Sequence, residues 1–181
     1  MNSWTVSDYH LGHKNIMVYE QRPFRDVAEM EEIIIKNHNA IVKKEDVVYH
    51  LGDFGFYPKD IMAKVVASLN GRIFLIKGNH DTKSNTWYRS VGFAEVIAYP
   101  ILIHNYVILS HEPVYLAKGT HFWNVHGHIH SNRSPTEKHI NVSVEAINYT
   151  PVNMKDILKR IVDSDFGVGF WEPSDSEGDD E

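Results

Sequence analysis

An α/β domain with at least one mixed β-sheet is the fold class that the sequence predicts, on three observations. In the first half, short aliphatic runs alternate with amphipathic stretches of helical period. In the second half the runs cluster around a hairpin, which is antiparallel, whereas strand–helix alternation favours parallel pairing. The predicted strands repeatedly end in a polar motif bearing Asp or His. In open α/β sheets, ligands bind at those carboxyl ends.

The elements follow in order. Residues 4–7 read as a first strand ending at Asp8. Residues 26–43 form an amphipathic helix with Met30, Ile33, Ile34, Asn37 and Ile41 on one stripe. Residues 46–51 are a second buried strand, closed by Gly52-Asp53. Pro58 stands at the first helical position of the next helix, which carries Ile61, Met62, Val65, Val66 and Leu69 to a stop at Asn70-Gly71. Residues 73–76 are strand three, ending in Gly78-Asn79-His80-Asp81, and 84–90 form a short helix. Residues 101–103 and 106–109 flank His104-Asn105 as a tight hairpin running into Ser110-His111. Residues 124–126 lead into Gly127-His128-Ile129-His130. A strand over 140–144, then Pro151 and a helix over 153–163, complete a domain of residues 1–164. The remainder, 165–181, is an acidic tail expected to be disordered.

Composition excludes several classes of function. The chain has 181 residues, 43% hydrophobic and 23% charged, which is ordinary for one globular domain. It has no cysteine, which removes disulfides, thiolate zinc sites, Fe–S clusters and Cys nucleophiles together. There is no signal-like N-terminal run, and no apolar stretch near the roughly 18 residues of a membrane span. A cytoplasmic protein without membrane contact is expected. The net charge of -6 belongs to the six acids of residues 172–181. The body is formally neutral and offers no global field for a polyanion, so duplex nucleic acid is disfavoured as a partner. Twelve histidines remain to be explained.

Five motifs close predicted strands: Asp8-Tyr9-His10, Gly52-Asp53, Gly78-Asn79-His80-Asp81, Ser110-His111 and Gly127-His128-Ile129-His130. Each is weak alone, because a single D-x-H or Gly-Asp is common by chance. Together they place metal-ligand residue types after one strand after another. Glycine recurs just before them, and its freedom to take φ > 0 lets the chain turn a side chain toward a shared point. In an extended segment, Asp8 with His10 and His128 with His130 would point the same way. Carboxylate, imidazole and amide oxygen suit Mn, Fe, Zn or Ni rather than Ca or Cu(I). Asp8, His10, Asp53, Asn79, His111, His128 and His130 are too many for one four-coordinate zinc. They are enough for two ions sharing a carboxylate.

This order of motifs resembles the calcineurin-like metallophosphoesterase superfamily, from Asp8 to His130. Residues 7–16 and 49–54 are similar to the small stand-alone phosphoesterases of bacteria and phages. The resemblance implies an α/β sandwich of two mixed sheets flanked by helices. It also implies two divalent metal ions, Mn foremost, with Fe, Zn, Ni and Mg as alternatives. One ion would be held by Asp8, His10, Asp53 and His130, and the other by Asp53, Asn79, His111 and His128. His80 would protonate the leaving oxygen and Asp81 would orient its ring. The implied reaction is in-line attack on a phosphoester by a water that the metals activate.

Asn79, His80, His13 and Arg22 are the candidate substrate contacts, with Arg25 and Arg133 as further phosphate or base candidates. His50 and His126 are expected to pack or hydrogen-bond behind the ligands. His38, His104, His121 and His139 are expected to be surface or structural. Phe54, Phe56 and Tyr57 are candidates for a nucleobase platform, against a simple packing role. Short connections leave no room for a large lid, which favours a small, nucleotide-sized phosphoester, a diester ahead of a monoester. A phosphomonoesterase or nuclease of the same superfamily is the alternative. A non-catalytic protein-binding scaffold on this fold is the alternative from another class, opposed by the intact ligand set and His80.

Overall fold

The computed structural model describes residues 1–166. The expected acidic tail lies outside the described residues, apart from its first two positions. Those two belong to the last helix.

Five strands form the first sheet: β1 (Ser3–Val6), β2 (Val47–His50), β3 (Arg72–Ile76), β4 (Glu95–Ile97) and β9 (Val152–Asn153), in the order β4-β3-β2-β1-β9. The first four are parallel, and β9 pairs antiparallel with β1. The second sheet has the order β5-β6-β7-β8, from β5 (Ile101–Ile103), β6 (Val107–Leu109), β7 (Trp123–His126) and β8 (His139–Asn141). Only β5–β6 is antiparallel. Both sheets are therefore mixed, and the fold is the α/β sandwich that the sequence led one to expect.

Helices α2 (Val27–Ile41) and α3 (Lys59–Ser68) are the crossovers that parallel pairing requires. α2 starts at Asp26, whose side chain accepts the Glu29 N–H at 2.9 Å and so satisfies one of the free N-terminal donors. Its buried stripe is Met30, Ile34 and His38. Pro58 precedes α3 as its cap rather than opening it. Met30, Ile34, Met62 and Val66 pack with Val6, Val48 and Leu75 in one core. A second core joins Leu51 and Ile76 to Val107, Leu109, Trp123, Val125 and Ile140, closed by Met154, Ile157 and Ile161 of α5 (Met154–Phe166). No described helix is long and apolar enough to cross a membrane.

The structure departs from the sequence reading at several places. The single-turn α1 (Ile16–Tyr19), β4 and β9 were not expected, because elements this short carry no resolvable period. α4 (Asn85–Ser90) matches the expected helix, with Ser84 as its cap. The strand expected over 140–144 is divided. β8 ends at Asn141, and the chain then crosses to the other sheet, where Ser7 donates to Val142 at 2.9 Å and accepts from Val144 at 3.2 Å. This bridge ties the two sheets together at the carboxyl end of β1. Finally, α5 extends past residue 164. Asp165 accepts the Trp123 indole N–H at 2.8 Å and pairs with Lys138 at 3.1 Å, so it is tied to the second sheet.

Candidate dinuclear metal centre

All seven proposed ligands converge where the two sheets meet. Asp8 and His10 follow β1, Asp53 follows β2, Asn79 follows β3, His111 follows β6, and His128 and His130 follow β7. The expected extended geometry is not what brings them in. Asp8, His10, Asp53, His128 and His130 all have left-handed backbones, with φ of 61°, 51°, 56°, 69° and 50°. Residues other than glycine rarely take this conformation, and it costs of order 1–3 kcal/mol each. The glycines act chiefly by letting chains approach. A Cβ on Gly127 would overlap Ser7 Oγ and Asp8 Oδ2, and one on Gly78 would lie 2.7 Å from the Asp53 nitrogen.

Hydrogen bonds then aim the rings. His111 Nδ1 lies 2.7 Å from the Leu51 carbonyl oxygen, so that nitrogen carries the proton and Nε2 presents a lone pair. That lone pair faces Asp53 Oδ2 at 3.4 Å and Asn79 Oδ1 at 2.9 Å, both acceptors. His128 Nδ1 closes the same group, 3.0 Å from Asn79 Oδ1 and 3.1 Å from His111 Nε2. In the other half, His130 Nδ1 bonds Glu145 Oε1 at 3.1 Å, which turns Nε2 toward Asp8 Oδ1, 4.0 Å away. His10 Nδ1 meets His13 Nδ1 at 3.2 Å. His10 Nε2 points at Asp8 Oδ1 (3.8 Å) and Asp53 Oδ2 (3.5 Å). Asp53 Oδ2 therefore sits between the halves. Its Oδ1 is held by the His80 N–H at 2.9 Å.

Lone pairs thus face lone pairs across the centre. The buried atoms Asp8 Oδ1 and His10 Nε2 have no hydrogen-bond partner, although such atoms nearly always have one. Burial pushes the Asp53 carboxyl up to about 6, with Asp8 and Asp81 adding to the rise against the pull of His111. Asp8 is also pushed up by burial, but His10, His111 and His130 outweigh this and hold it well below the usual carboxylate range. Burial lowers His10 to about 4, so its ring is neutral at pH 7 and able to donate a lone pair. Asp8–His10–His130 and Asp8–Asp53–His111 each bring ligand atoms within 4.8 Å of one another. Divalent cations would satisfy these atoms, so the residues fit bound divalent metal.

The family model for calcineurin-like phosphoesterases matches residues 1–177. The chain belongs to this family. Uncharacterized protein MJ1445 of Methanocaldococcus jannaschii is 38% identical over 169 residues, covering 87% of this chain and 90% of its own. Gene 66 protein of Mycobacterium phage L5 is 37% identical over 83 residues, 44% of this chain and 40% of that one. The crystal structure of AQ665, a protein of unknown function from Aquifex aeolicus, aligns with a TM-score of 0.70 at 26% identity. The alignment covers 88% of this chain and 98% of that one.

In this calcineurin-like phosphoesterase two expected roles change. Asp81 does not hold the His80 ring. Its buried carboxylate accepts the Asp53 N–H at 2.7 Å and the Gly78 N–H at 2.9 Å, with longer bonds from Phe54 N and Tyr88 Oη. It therefore fixes the backbone carrying Asp53. Arg22 does not reach substrate. Its side chain is wholly buried and donates to the Asp8 and Tyr9 carbonyls and to Glu145. Arg25 is exposed and pairs with Asp26 at 3.0 Å. Arg133 lines a separate cavity with Arg160.

His80 stands exposed at the rim, its ring 5.5 Å from His10, 6.3 Å from His13 and 5.3 Å from Phe56. Of the three aromatics only Phe56 faces the site. Phe54 is core, and Tyr57 donates to Glu31. His50 is buried against Tyr9 and Phe54 with neither ring nitrogen partnered. His126 bonds Gly127 O and Ser134 Oγ, His38 bonds Tyr9 Oη and Asn70 O, and His139 bonds Thr136 Oγ1 and Val114 O. Glu145 was missed. It sits in no motif, and only its contacts with His130 and Arg22 mark it.

Proposed function

We propose that this phosphoesterase hydrolyses small, nucleotide-sized phosphoesters, phosphodiesters in preference to monoesters, with two bound divalent cations. Manganese is the expected pair, with Fe, Zn, Ni and Mg as alternatives. The observation that carries this reading is the pair of ligand groups meeting at Asp53 Oδ2 beneath an exposed His80. The cations would supply an activated water and neutralise phosphoryl charge.

The chain's own residues supply the rest. Asp53, fixed by Asp81 through its N–H and by the His80 N–H through Oδ1, keeps the two ligand groups at constant separation. His80 gives its proton to the departing alkoxide, a step worth about 10²–10⁴-fold for a poor leaving group. Asn79 and His13 flank the path of the phosphoryl group. A cavity of about 400 Å³ opens from Asn79 and His111 between Lys77, Tyr99, Glu112 and Pro113, within the size range of small-ligand sites. Diester preference is supported by the basic side chains. Arg22 is buried behind the ligands, and Lys77 Nζ is already bonded to the Lys83 carbonyl at 2.7 Å. Neither side chain is free to clamp a dianionic monoester. The absence of cysteine suits a reducing cytoplasmic setting.

The test is a substrate panel with Mn²⁺ and a chelator control: nucleoside monophosphates, 2′,3′- and 3′,5′-cyclic nucleotides, aryl mono- and diesters, and single-stranded oligonucleotides. Chelator-sensitive turnover of the small diesters is expected. Turnover of oligonucleotides alone would point to a nuclease, and no turnover of any ester to a scaffold.

A further inference from the structure

One buried ion pair serves half of the metal centre and leaves the other half alone. Arg22 Nη2 donates to the Asp8 carbonyl at 2.7 Å and Nη1 to the Tyr9 carbonyl at 2.8 Å. Its Nε and Nη2 lie 2.9 and 2.7 Å from a single oxygen, Glu145 Oε1. That oxygen also accepts from His130 Nδ1 at 3.1 Å. The arginine side chain is completely buried and that of Glu145 is 6% exposed. A continuous path runs from the carbonyls of Asp8 and Tyr9, through Arg22 and Glu145, to the His130 ring.

We infer that Arg22 and Glu145 are positioning residues that assemble the Asp8–His10–His130 half of the centre and not the Asn79–His111–His128 half. This rests on the two-metal reading above. Asp8 and His10 come from the first sheet and His130 from the second, so nothing local in sequence fixes their distance. Arg22 clamps the first loop and hands its charge to Glu145. The carboxylate in turn fixes the His130 tautomer, so that Nε2 faces Asp8. The other half has separate supports. His111 is held by the Leu51 carbonyl, and Asn79 Oδ1 lies against His111 and His128.

Glu20, His130 and Glu145 also form a compact trio of metal-ligating types. Arg22 argues against a cation there, because its guanidinium already neutralises the Glu145 carboxylate. The tight convergence on Oε1 also leaves Glu145 Oε2 buried and unpartnered. The carboxylate is thus placed for His130 and Arg22 rather than for its own full satisfaction. A buried pair of this kind is a weak source of stability and a better candidate for fixing geometry.

The experiment is calorimetric Mn²⁺ titration of the chelator-stripped full chain, with EPR to distinguish coupled from isolated Mn²⁺. The wild type should bind about two ions with a coupled spectrum. In Glu145→Gln one site should weaken about 10–100-fold, the usual cost of losing a ligand's supporting partner, while the other stays within about threefold. The coupled signal should give way to isolated Mn²⁺ at one equivalent. Combination with a ligand variant assigns the site. Added to His128→Ala, Glu145→Gln should weaken the surviving site by the same factor; added to His130→Ala, it should change nothing further. Arg22→Lys keeps the charge but loses the two-carbonyl fork, and should show the same selective loss if the Gln variant does not fold. Equal weakening of both sites, unchanged affinity, or a third ion in the wild type would each overturn the inference. Failure of the wild type to bind a Mn²⁺ pair would instead refute the two-metal reading itself.

Discussion

Gly78→Ala isolates the packing that holds Asp53 in place. Gly78 has no left-handed φ, so an alanine there brings no backbone strain and only a methyl group. That methyl would lie 2.7 Å from the Asp53 nitrogen and 2.9 Å from its Cγ, and closer still to Oδ1, where ordinary contact begins near 3.4 Å. Asp53 must therefore withdraw by about 1 Å, as an overpacked core forces its neighbours to do. It cannot withdraw freely, since its N–H is bonded to Asp81 and its Oδ1 to the His80 N–H. Overpacking of this kind costs about 1–3 kcal/mol of stability. A 1 Å displacement of a catalytic group costs about 100-fold in rate. The assays are the Mn²⁺-dependent kcat/KM on an aryl diester, and thermal melting with and without Mn²⁺. Gly119→Ala is the control: its Cβ would meet nothing, while its φ of 77° makes it bear a backbone cost of about 1–2 kcal/mol. The expected result is a loss of about 100-fold in Gly78→Ala and wild-type turnover in Gly119→Ala. Near-wild-type turnover with normal Mn²⁺ affinity in Gly78→Ala would refute the claim that close packing at Gly78 positions the Asp53 carboxylate.

Asp53→Asn keeps the shape but removes the charge shared by both halves, so metal content should fall from about two ions per chain to near zero by elemental analysis. Retention of both ions would show that Asp53 is not shared. His80→Ala should keep its metals and slow esters of poor leaving groups by about 10²–10⁴-fold, but activated aryl esters by much less. Equal slowing of both classes would remove His80 as the acid. Burial holds His50 down at about 3, whereas an unfolded histidine titrates near 6.5. The unfolded chain therefore binds the extra proton, and this stability is complete above pH 6.5 and lost as pH falls toward 3, about 4–5 kcal/mol in all. Urea unfolding of the metal-free protein should lose stability less steeply over pH 6.5–4 in His50→Leu than in the wild type; parallel slopes would exclude His50 as the source.

The motifs and the alternation of strands with helices were legible because each rests on local chemistry. Five polar motifs close strands in order, and the His104-Asn105 hairpin turn is realised with φ of 51° and 63°, as two-residue hairpins require. Arg22 and Asp81 depart from the sequence expectation for one shared reason. An arginine or aspartate near a phosphate motif has the same local signature whether it faces substrate or turns inward to backbone carbonyls and amides. Only burial separates the cases, and burial is not local. Glu145 left no sequence signal, because its partners are 123 residues away at Arg22 and 15 away at His130.

The sequence by itself determined which donor atoms exist, that they lie at strand ends, and that no thiolate competes with them. Side-chain type and strand period are properties of the chain alone. The tertiary structure decided how the donors divide. His128 and His130, two residues apart, turn to opposite halves of the centre, because left-handed backbones replace the extended segment that their spacing suggested. It also decided what aims them: the Leu51 carbonyl behind His111, the Asp81 carboxylate beneath Asp53, and the Arg22–Glu145 pair joining two sheets. These supports are hydrogen bonds between residues far apart in the chain, and they exist only once the two sheets have packed.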